Sequence, residues 1–335
     1  MAPIPNPRIV FAKPIPEGAW PVIGEHLVYD DSRTIDPNTV PLNGGYLTKA
    51  LYFSVVSLCV LKVIRSEKEG IEPGDLLYGG SHWELYTVQP YVEARRERDP
   101  SWPPWTIHID GFIVHNKVPD PKGAFPLYKY CSLGGAPGMT AYASWKKYAH
   151  AKKGETVFVS AGASAVGSLK VIASAGSDAK VEYMRSLGCD VPFNYKTTPY
   201  KDVLAKNGPI DIYYDNVGAE AFAAALDNMA LFGRIIICGQ IAEYNVAAEN
   251  KFGIKNTDMI YKLNLTVNGF LTPYLAEEYA PKFFVDVPPM IAEGKLKSEE
   301  RIYDGIESAP QAFVDMLKGG WDTANGKVVV SLVNQ

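Results

Sequence analysis

Between residues 128 and 265 short apolar runs alternate with helical ones. TVFVS and KVIASA read as strands, AKVEYMRSLG as a helix, IDIYYDNVG as a strand entering a turn, EAFAAALDNMALFG as a helix and RIIICGQ as a further strand. Apolar β-type runs separated by amphipathic segments predict a parallel sheet covered by helices. Residues 1–127 have another texture. Rich in Pro, Gly and β-branched residues, as in SVVSLCVLKVI, EPGDLLYGG and ELYTVQPYV, they predict short strands and turns. Further on, LTVNGFL predicts a strand, PKFFVDVPPMIAEGKL a helix, and GKVVVSLV a last strand that returns to the first domain. The expected architecture is α/β: a mostly-β domain, 1–127 and 266–335, interrupted by a nucleotide-type domain over 128–265.

The strand Thr156–Ser160 runs into a turn of small residues, Ala161 to Gly167, and a second β-type run covers Lys170 to Ala173. Strand, glycine turn and strand form the skeleton of a dinucleotide-binding unit. Small side chains let backbone amides approach a pyrophosphate closely. The glycine spacing alone is a weak signal, since small-residue turns after strands are common. One element is missing, because only Ser168 and Leu169 separate Gly167 from Lys170. Parallel strands ordinarily take a crossover of roughly a dozen residues or more. The expectation is therefore a Rossmann-type sheet with its first crossover helix deleted. Such a sheet loses apolar cover on one face and grips a dinucleotide weakly or not at all.

The second strand ends Ala173-Ser-Ala-Gly-Ser177, with no acid for a ribose diol, and Lys180 lies just beyond. A cation there favours a 2′-phosphate and hence NADP(H). The plain alternative for Lys180 is a solvated helix lysine. Asp178 reads as a cap or first-turn acid rather than a ribose ligand.

Composition narrows the classes. A chain of 335 residues that is 47% hydrophobic can bury a large core, and a net charge of -4 gives no footprint for nucleic acid or an anionic membrane. No apolar run approaches the roughly 18 residues of a membrane span, and the first residues carry no secretory h-region. Cys59, Cys131, Cys189 and Cys238 are scattered, and the five histidines form no ligand pattern. The expectations are no metal, reduced thiols and a cytoplasmic protein. Val92 to Asp120 has no clear period. It reads as a surface loop, a lid or partner-binding insert, or a segment that was never selected as protein.

Taken in order, AGSDAKVEYMRSLGCD, FNYK, YYDNVG, GRIIICGQIAEYN and NGKVVVSL resemble the zinc-independent medium-chain dehydrogenases/reductases. The branch is that of the alkenal/enone double-bond reductases, which includes the leukotriene B4 12-hydroxydehydrogenase/prostaglandin reductases. The likeness covers most of residues 128–335, with islands at NGGYLTKALYFSV and EPGDLLYG. It implies a GroES-like catalytic domain and NADPH-dependent reduction of the C=C bond of α,β-unsaturated aldehydes and ketones. It implies that Ser164, Ala165, Val166 and Gly167 face the pyrophosphate. Lys180 and Tyr195 would bind the 2′-phosphate, and Asn216 would contact the cofactor beyond its strand. Cys238 and Gly239 through Tyr244 and Asn245 would wrap the nicotinamide side. Phe270 and Leu271 would meet the carboxamide, Asn325 would close the site, and Tyr261 would donate to the substrate oxygen. Family members are often dimeric, and no residue pattern here decides the oligomer.

The chain departs from the family pattern in three places. LYFSV runs straight into VSLCVLKVIRSE where an Asp-Pro-Tyr-Met/Leu-Arg-Gly-Arg-like motif is expected, the first nucleotide-domain helix is absent, and Val92 to Asp120 has no counterpart. Two clean losses and a foreign gain are what misplaced exon boundaries or alternative splicing would produce. Competing readings are a quinone reductase of the same superfamily, a non-catalytic NADPH-binding or structural protein, and a truncated splice product.

Overall fold

A computed structural model describes residues 3–16, 19–55, 58–89, 115–161, 169–244, 246–317 and 326–334. The chain divides into two compact units, Met1–Met139 with Glu277–Gln335, and Thr140–Ala276.

The first unit begins with two small ladders. β1 (Ile4–Pro5) pairs with β4 (Thr34–Ile35), and β2 (Arg8–Phe11) with β3 (Leu27–Asp30), both antiparallel. A larger antiparallel meander follows: β5 (Tyr46–Ser54), β6 (Leu58–Ser66) and β7 (Leu76–Gly80), with β8 (Tyr86–Gln89) on the other side of β5. The end of the unusual 92–120 stretch belongs to this sheet. β9 (Asn116–Lys117) pairs with β7, and His115 bonds Tyr46 Oη through Nδ1 and the Gly80 carbonyl through Nε2, both at 2.7 Å. Residues 92–114 lie outside the described residues.

The second unit takes its chain from α1 (Ala136–Ser144) and a π-helical turn at Trp145–Ala149. Its strands are β10 (Thr156–Val159), β11 (Lys170–Ala175), β12 (Val191–Asn194), β13 (Ile210–Asp215), β14 (Met229–Ile237) and β15 (Thr266–Gly269). The helices are α2 (Asp178–Ser186), α3 (Tyr200–Asn207), α4 (Ala219–Leu226) and the short α5 (Met259–Lys262). All six strands are parallel in the order β12-β11-β10-β13-β14-β15. That is the doubly wound arrangement, with strand order reversing between β10 and β13.

β10 and β11 are neighbours, Thr156 opposite Lys170, joined by residues 160–169. No helix lies between them among the described residues. The expected loss of apolar cover does not follow. One face of the sheet (Phe158, Ile172, Tyr213, Ile235) packs on Leu204 of α3 and Phe222 and Leu226 of α4. Val157, Val159, Ile212 and Tyr214 pack with Ala149, Trp145 and Tyr148 from the π-helical turn. Val171 and Ala173 pack with Val181 and Met184 of α2.

Two expected helices shift. α4 ends at Leu226, where Asn228 Nδ2 takes the Ala224 carbonyl at 2.8 Å, and Met229–Gly233 extends β14 instead. Pairing of Met229 with Ile210 recruits the segment to the sheet, and tertiary pairing overrides helix propensity. The later helix, α6, starts at Pro273, runs to Ala292 and holds Pro281, Pro288 and Pro289 within it.

The chain then completes the first unit with β16 (Glu300–Asp304), α7 (Ala309–Leu317) and β17 (Lys327–Ser331). β17 pairs parallel to β16 and antiparallel to β5, so the last strand does return to the first sheet. Phe53, Leu61, Leu77 and Val330 form the core there with Ile306, Ala309 and Ala312. Beside it Lys129 Nζ meets Glu300 Oε2 at 2.6 Å and the Ser298 carbonyl at 2.7 Å. Ser132 Oγ donates to Glu300 Oε1 at 2.5 Å, so a nearly enclosed carboxylate is fully hydrogen-bonded.

Candidate functional site

In an open parallel sheet, ligands bind beyond the carboxyl ends of the strands, where strand order reverses. In the second unit that point lies between Ser160, after β10, and Asp215-Asn216-Val217-Gly218, at the end of β13. Asp215 is fully buried and organises the loop. Its Oδ1 accepts from Tyr213 Oη at 2.6 Å, Ser160 Oγ at 3.1 Å, and the amides of Val217 and Gly218 at 3.0 and 2.9 Å. Burial, then the Asp215 charge, push the Tyr213 hydroxyl well above its ordinary pKa and keep it a donor. Oδ2 is buried with no partner.

Asn216 is held against Ser160, its side-chain amide donating to the Ser160 carbonyl at 2.7 Å and its backbone amide to the Ser160 hydroxyl at 2.9 Å. Gly218 has φ +74, and a Cβ there would stand 3.0 Å from Gln240 Cβ, so both conformation and space select glycine.

The end of β14 folds onto the same loop. The Asp215 carbonyl accepts from the amides of Cys238 at 2.8 Å and Gly239 at 3.1 Å. Tyr244 Oη accepts from Gln240 N at 3.2 Å and stands 2.6 Å from where a Cβ on Gly239 would lie. Cys238 is half-buried, with its thiol pKa raised by burial. Phe270, just past β15, packs against Tyr148 with ring centroids 6.0 Å apart, and Leu271 follows it at the surface. Asn216, Cys238, Gly239, Tyr244, Phe270 and Leu271 thus gather at the carboxyl ends of β13, β14 and β15.

Lys180 and Tyr195 flank the end of β11. Ser177 caps α2 by accepting the Lys180 amide, with Asp178 as first-turn acid, and Lys180 is half-buried. The Tyr195 amide donates to the Ala175 carbonyl at 3.1 Å. Asp178 Oδ1 accepts from Asn194 Nδ2 at 2.7 Å. Lys180 and Tyr195 therefore follow the strand ends beside the turn Ala175–Ser177, and the adjacent acid, Asp178, is engaged by Asn194. This donor set fits a dinucleotide bearing a 2′-phosphate.

Tyr261 stands apart. It lies on α5, ahead of β15 and 72% exposed, where the Leu263 carbonyl accepts the amide of Phe232 near the start of β14. Within one chain that is the opposite end of the sheet from Phe270. Ser164, Ala165, Val166, Gly167, Asn245 and Asn325 lie outside the described residues.

Sequence reasoning passed over Ser160, Asp215 and Gly218. The signal was present in a buried-strand aspartate followed by Asn-Val-Gly, because an acid ending an apolar strand must find donors.

Sheet order, strand-end loop and donor set define the class, a dinucleotide-dependent dehydrogenase/reductase. Residues 157–284 match the family model described as zinc-binding dehydrogenase. The chain is 32% identical to a zinc-type alcohol dehydrogenase-like protein of Schizosaccharomyces pombe, over 99% of this chain and 100% of that protein. It is 33% identical to a 2-alkenal reductase (NADP(+)-dependent) of Nicotiana tabacum, over 91% of this chain and 86% of the relative. The solved structure of CurA in complex with NADPH from Vibrio vulnificus has the same fold, with TM-score 0.76 and 24% identity over 98% of this chain and 99% of that one. The chain belongs to the medium-chain dehydrogenases/reductases, in the zinc-independent branch of NADP-dependent alkenal/enone double-bond reductases. Among the described residues no group of three His, Cys, Asp or Glu that could hold a metal ion occurs.

Proposed function

We propose that the protein is an NADP-dependent oxidoreductase that reduces the C=C bond of α,β-unsaturated aldehydes and ketones. The observation that carries the reading is the acid-free end of β11, flanked by Lys180 and Tyr195, in a doubly wound sheet. Bound NADPH supplies a hydride to the β-carbon of the enal or enone. Lys180 and Tyr195 would hold the 2′-phosphate, and Ser164 to Gly167 would serve the pyrophosphate. Asn216, Cys238, Gly239, Tyr244 and Asn245 would serve the nicotinamide side, and Phe270 and Leu271 would offer backbone groups to the carboxamide. As hydride arrives, negative charge builds on the carbonyl oxygen, and a positioned hydroxyl stabilises it. Tyr261 is that donor, and a proton then reaches the α-carbon.

The position of Tyr261 in one chain makes a homodimer part of the reading. β15 is an edge strand with Val267 37% exposed. Antiparallel pairing of two copies of β15 would turn the Tyr261 end of one copy toward the Phe270 end of its mate. The four cysteines form no disulfide, which supports a cytoplasmic location, and no helix of the described residues is long and apolar enough to cross a membrane.

The test is loss of NADPH absorbance with a panel of enals, enones and quinones. Enal and enone turnover that falls at least tenfold in Tyr261→Phe supports the proposal. Turnover of quinones alone makes it a quinone reductase, and no turnover with intact NADPH binding makes it a binding protein. Gel filtration at the monomer mass removes the dimer.

A further inference from the structure

Tyr200 is a side chain that the proposed chemistry does not use. It is 5% exposed, and its ring lies nearly parallel to that of Tyr195, with centroids 5.6 Å apart and planes 10° apart. Tyr200 is itself fixed from two sides. Phe193 meets it edge-on at 5.6 Å and 85°, and Phe158 at 6.2 Å and 64°. Phe158 in turn stacks on Tyr213, the donor to Asp215, at 4.9 Å and 6°. The Tyr200 hydroxyl is buried, with the Ser174 hydroxyl beside it. Burial pushes its pKa up to about 12, the nearby Ser174 hydroxyl partly offsetting the effect. Ser174 Oγ accepts the amide of Ala161, at the entrance of the glycine turn. A rigid aromatic ladder therefore runs from the strand-end loop to a surface tyrosine, and Tyr200 is its last buried rung.

We propose that Tyr200 is a positioning residue for nicotinamide-cofactor specificity: its stacked ring fixes Tyr195 so that the Tyr195 hydroxyl meets the adenosine 2′-phosphate. The inference rests on the proposed role of Tyr195 at that phosphate. Tyr195 is 39% exposed, and a half-exposed tyrosine left alone samples several rotamers. Offset stacking on a ring held by two others removes that freedom before the ligand arrives, which lowers the ordering cost of binding. Tyr200 touches no ligand itself. Its effect belongs to the 2′-phosphate and is absent for a nucleotide with a free 2′-hydroxyl.

The experiment is titration calorimetry of the full chain with 2′,5′-ADP and 5′-AMP, which report on the adenosine end alone, with circular dichroism as the folding control. Tyr195→Phe is expected to weaken 2′,5′-ADP by roughly tenfold or more, the worth of a charged hydrogen bond, and to leave 5′-AMP unchanged. Tyr200→Met fills the space with a flexible side chain and is expected to weaken 2′,5′-ADP by about three- to tenfold, the worth of an aromatic pair, again sparing 5′-AMP. Tyr200→Phe keeps the stack and is expected to stay close to wild type for both. Equal effects of Tyr200→Met on the two nucleotides, or no effect on either, overturn the positioning role. An unchanged 2′,5′-ADP to 5′-AMP ratio in Tyr195→Phe overturns the reading of Tyr195 beneath it. Nuclear magnetic resonance of tyrosine-labelled wild type avoids any core substitution. There 2′,5′-ADP is expected to shift the ring signals of Tyr195 and Tyr200 together, and a shift of Tyr195 alone overturns the proposal.

Discussion

Ser160 and Asn216 clasp each other across the reversal point of the sheet, the Asn216 side chain donating to the Ser160 carbonyl and the Asn216 backbone amide to the Ser160 hydroxyl. The pair fixes the loop after β13 to the end of β10, and Asn216 is also a proposed cofactor contact. Asn216→Ala removes one of these bonds and keeps the other. The expected cost is about 1 kcal/mol in chemical denaturation, with a clearly larger relative loss in kcat/KM for NADPH. A loss confined to stability would assign Asn216 to the scaffold alone.

The Lys129–Glu300 pair makes a different kind of prediction, because both partners are largely enclosed, with side-chain exposures of 16% and 3%. Lys129→Met leaves Glu300 buried without its cation. Removal of one member of a buried pair costs about 3–5 kcal/mol, and urea unfolding should show a loss of that size. Replacing both residues with apolar ones should recover most of it.

Cys238 is a proposed contact on the nicotinamide side, beside a substrate proposed to be an electrophilic enal or enone. Burial raises its thiol pKa, with the Asp215 charge also raising it and Tyr214 lowering it in part. Only the thiolate attacks, so a raised pKa keeps the reactive form scarce at neutral pH. Alkylation by a maleimide is expected to be slow at pH 7 and to accelerate about tenfold for each pH unit up to the raised pKa. Cys238→Ser should remove the fast-reacting fraction at high pH, since Cys59, Cys131 and Cys189 are buried.

The missing helix bears on NADPH. Residues 160–169 join β10 to β11 with no crossover helix among the described residues, and such a helix ordinarily turns its N-terminus to the pyrophosphate. Each charge-assisted hydrogen bond forgone is worth about 1.5–3 kcal/mol, roughly tenfold or more in affinity. Calorimetric titration is expected to give NADPH binding weaker than micromolar, and insertion of a crossover helix after Gly167 should tighten it. Micromolar binding by the chain as it stands would remove the pyrophosphate helix from the account.

Much of this was legible in the chain. The runs around Phe158, Ile172 and Tyr213 announced buried parallel strands because continuous apolar segments have few other uses, and the acid-free strand end pointed to NADP(H). What stayed hidden depended on partners far away in sequence. Met229–Gly233 reads as helix until Ile210 is there to pair with it. The cover on Val157 and Val159 comes from Trp145 and Tyr148, which no local pattern assigns to that task. Tyr261 matched its motif, yet only the sheet's direction reveals that it stands at the other end from Phe270.

The direct step from β10 to β11 also sets an order of assembly. Val157 meets Val171 after a short stretch of chain, whereas its other neighbour is Ile212. Loop-closure entropy and the search for non-local contacts both favour the nearer pairing. β10, β11 and α2 should therefore gain protection from hydrogen exchange early in refolding, before β13 docks. The reversal point where Ser160 meets Asn216 would then be among the last parts of the sheet to form.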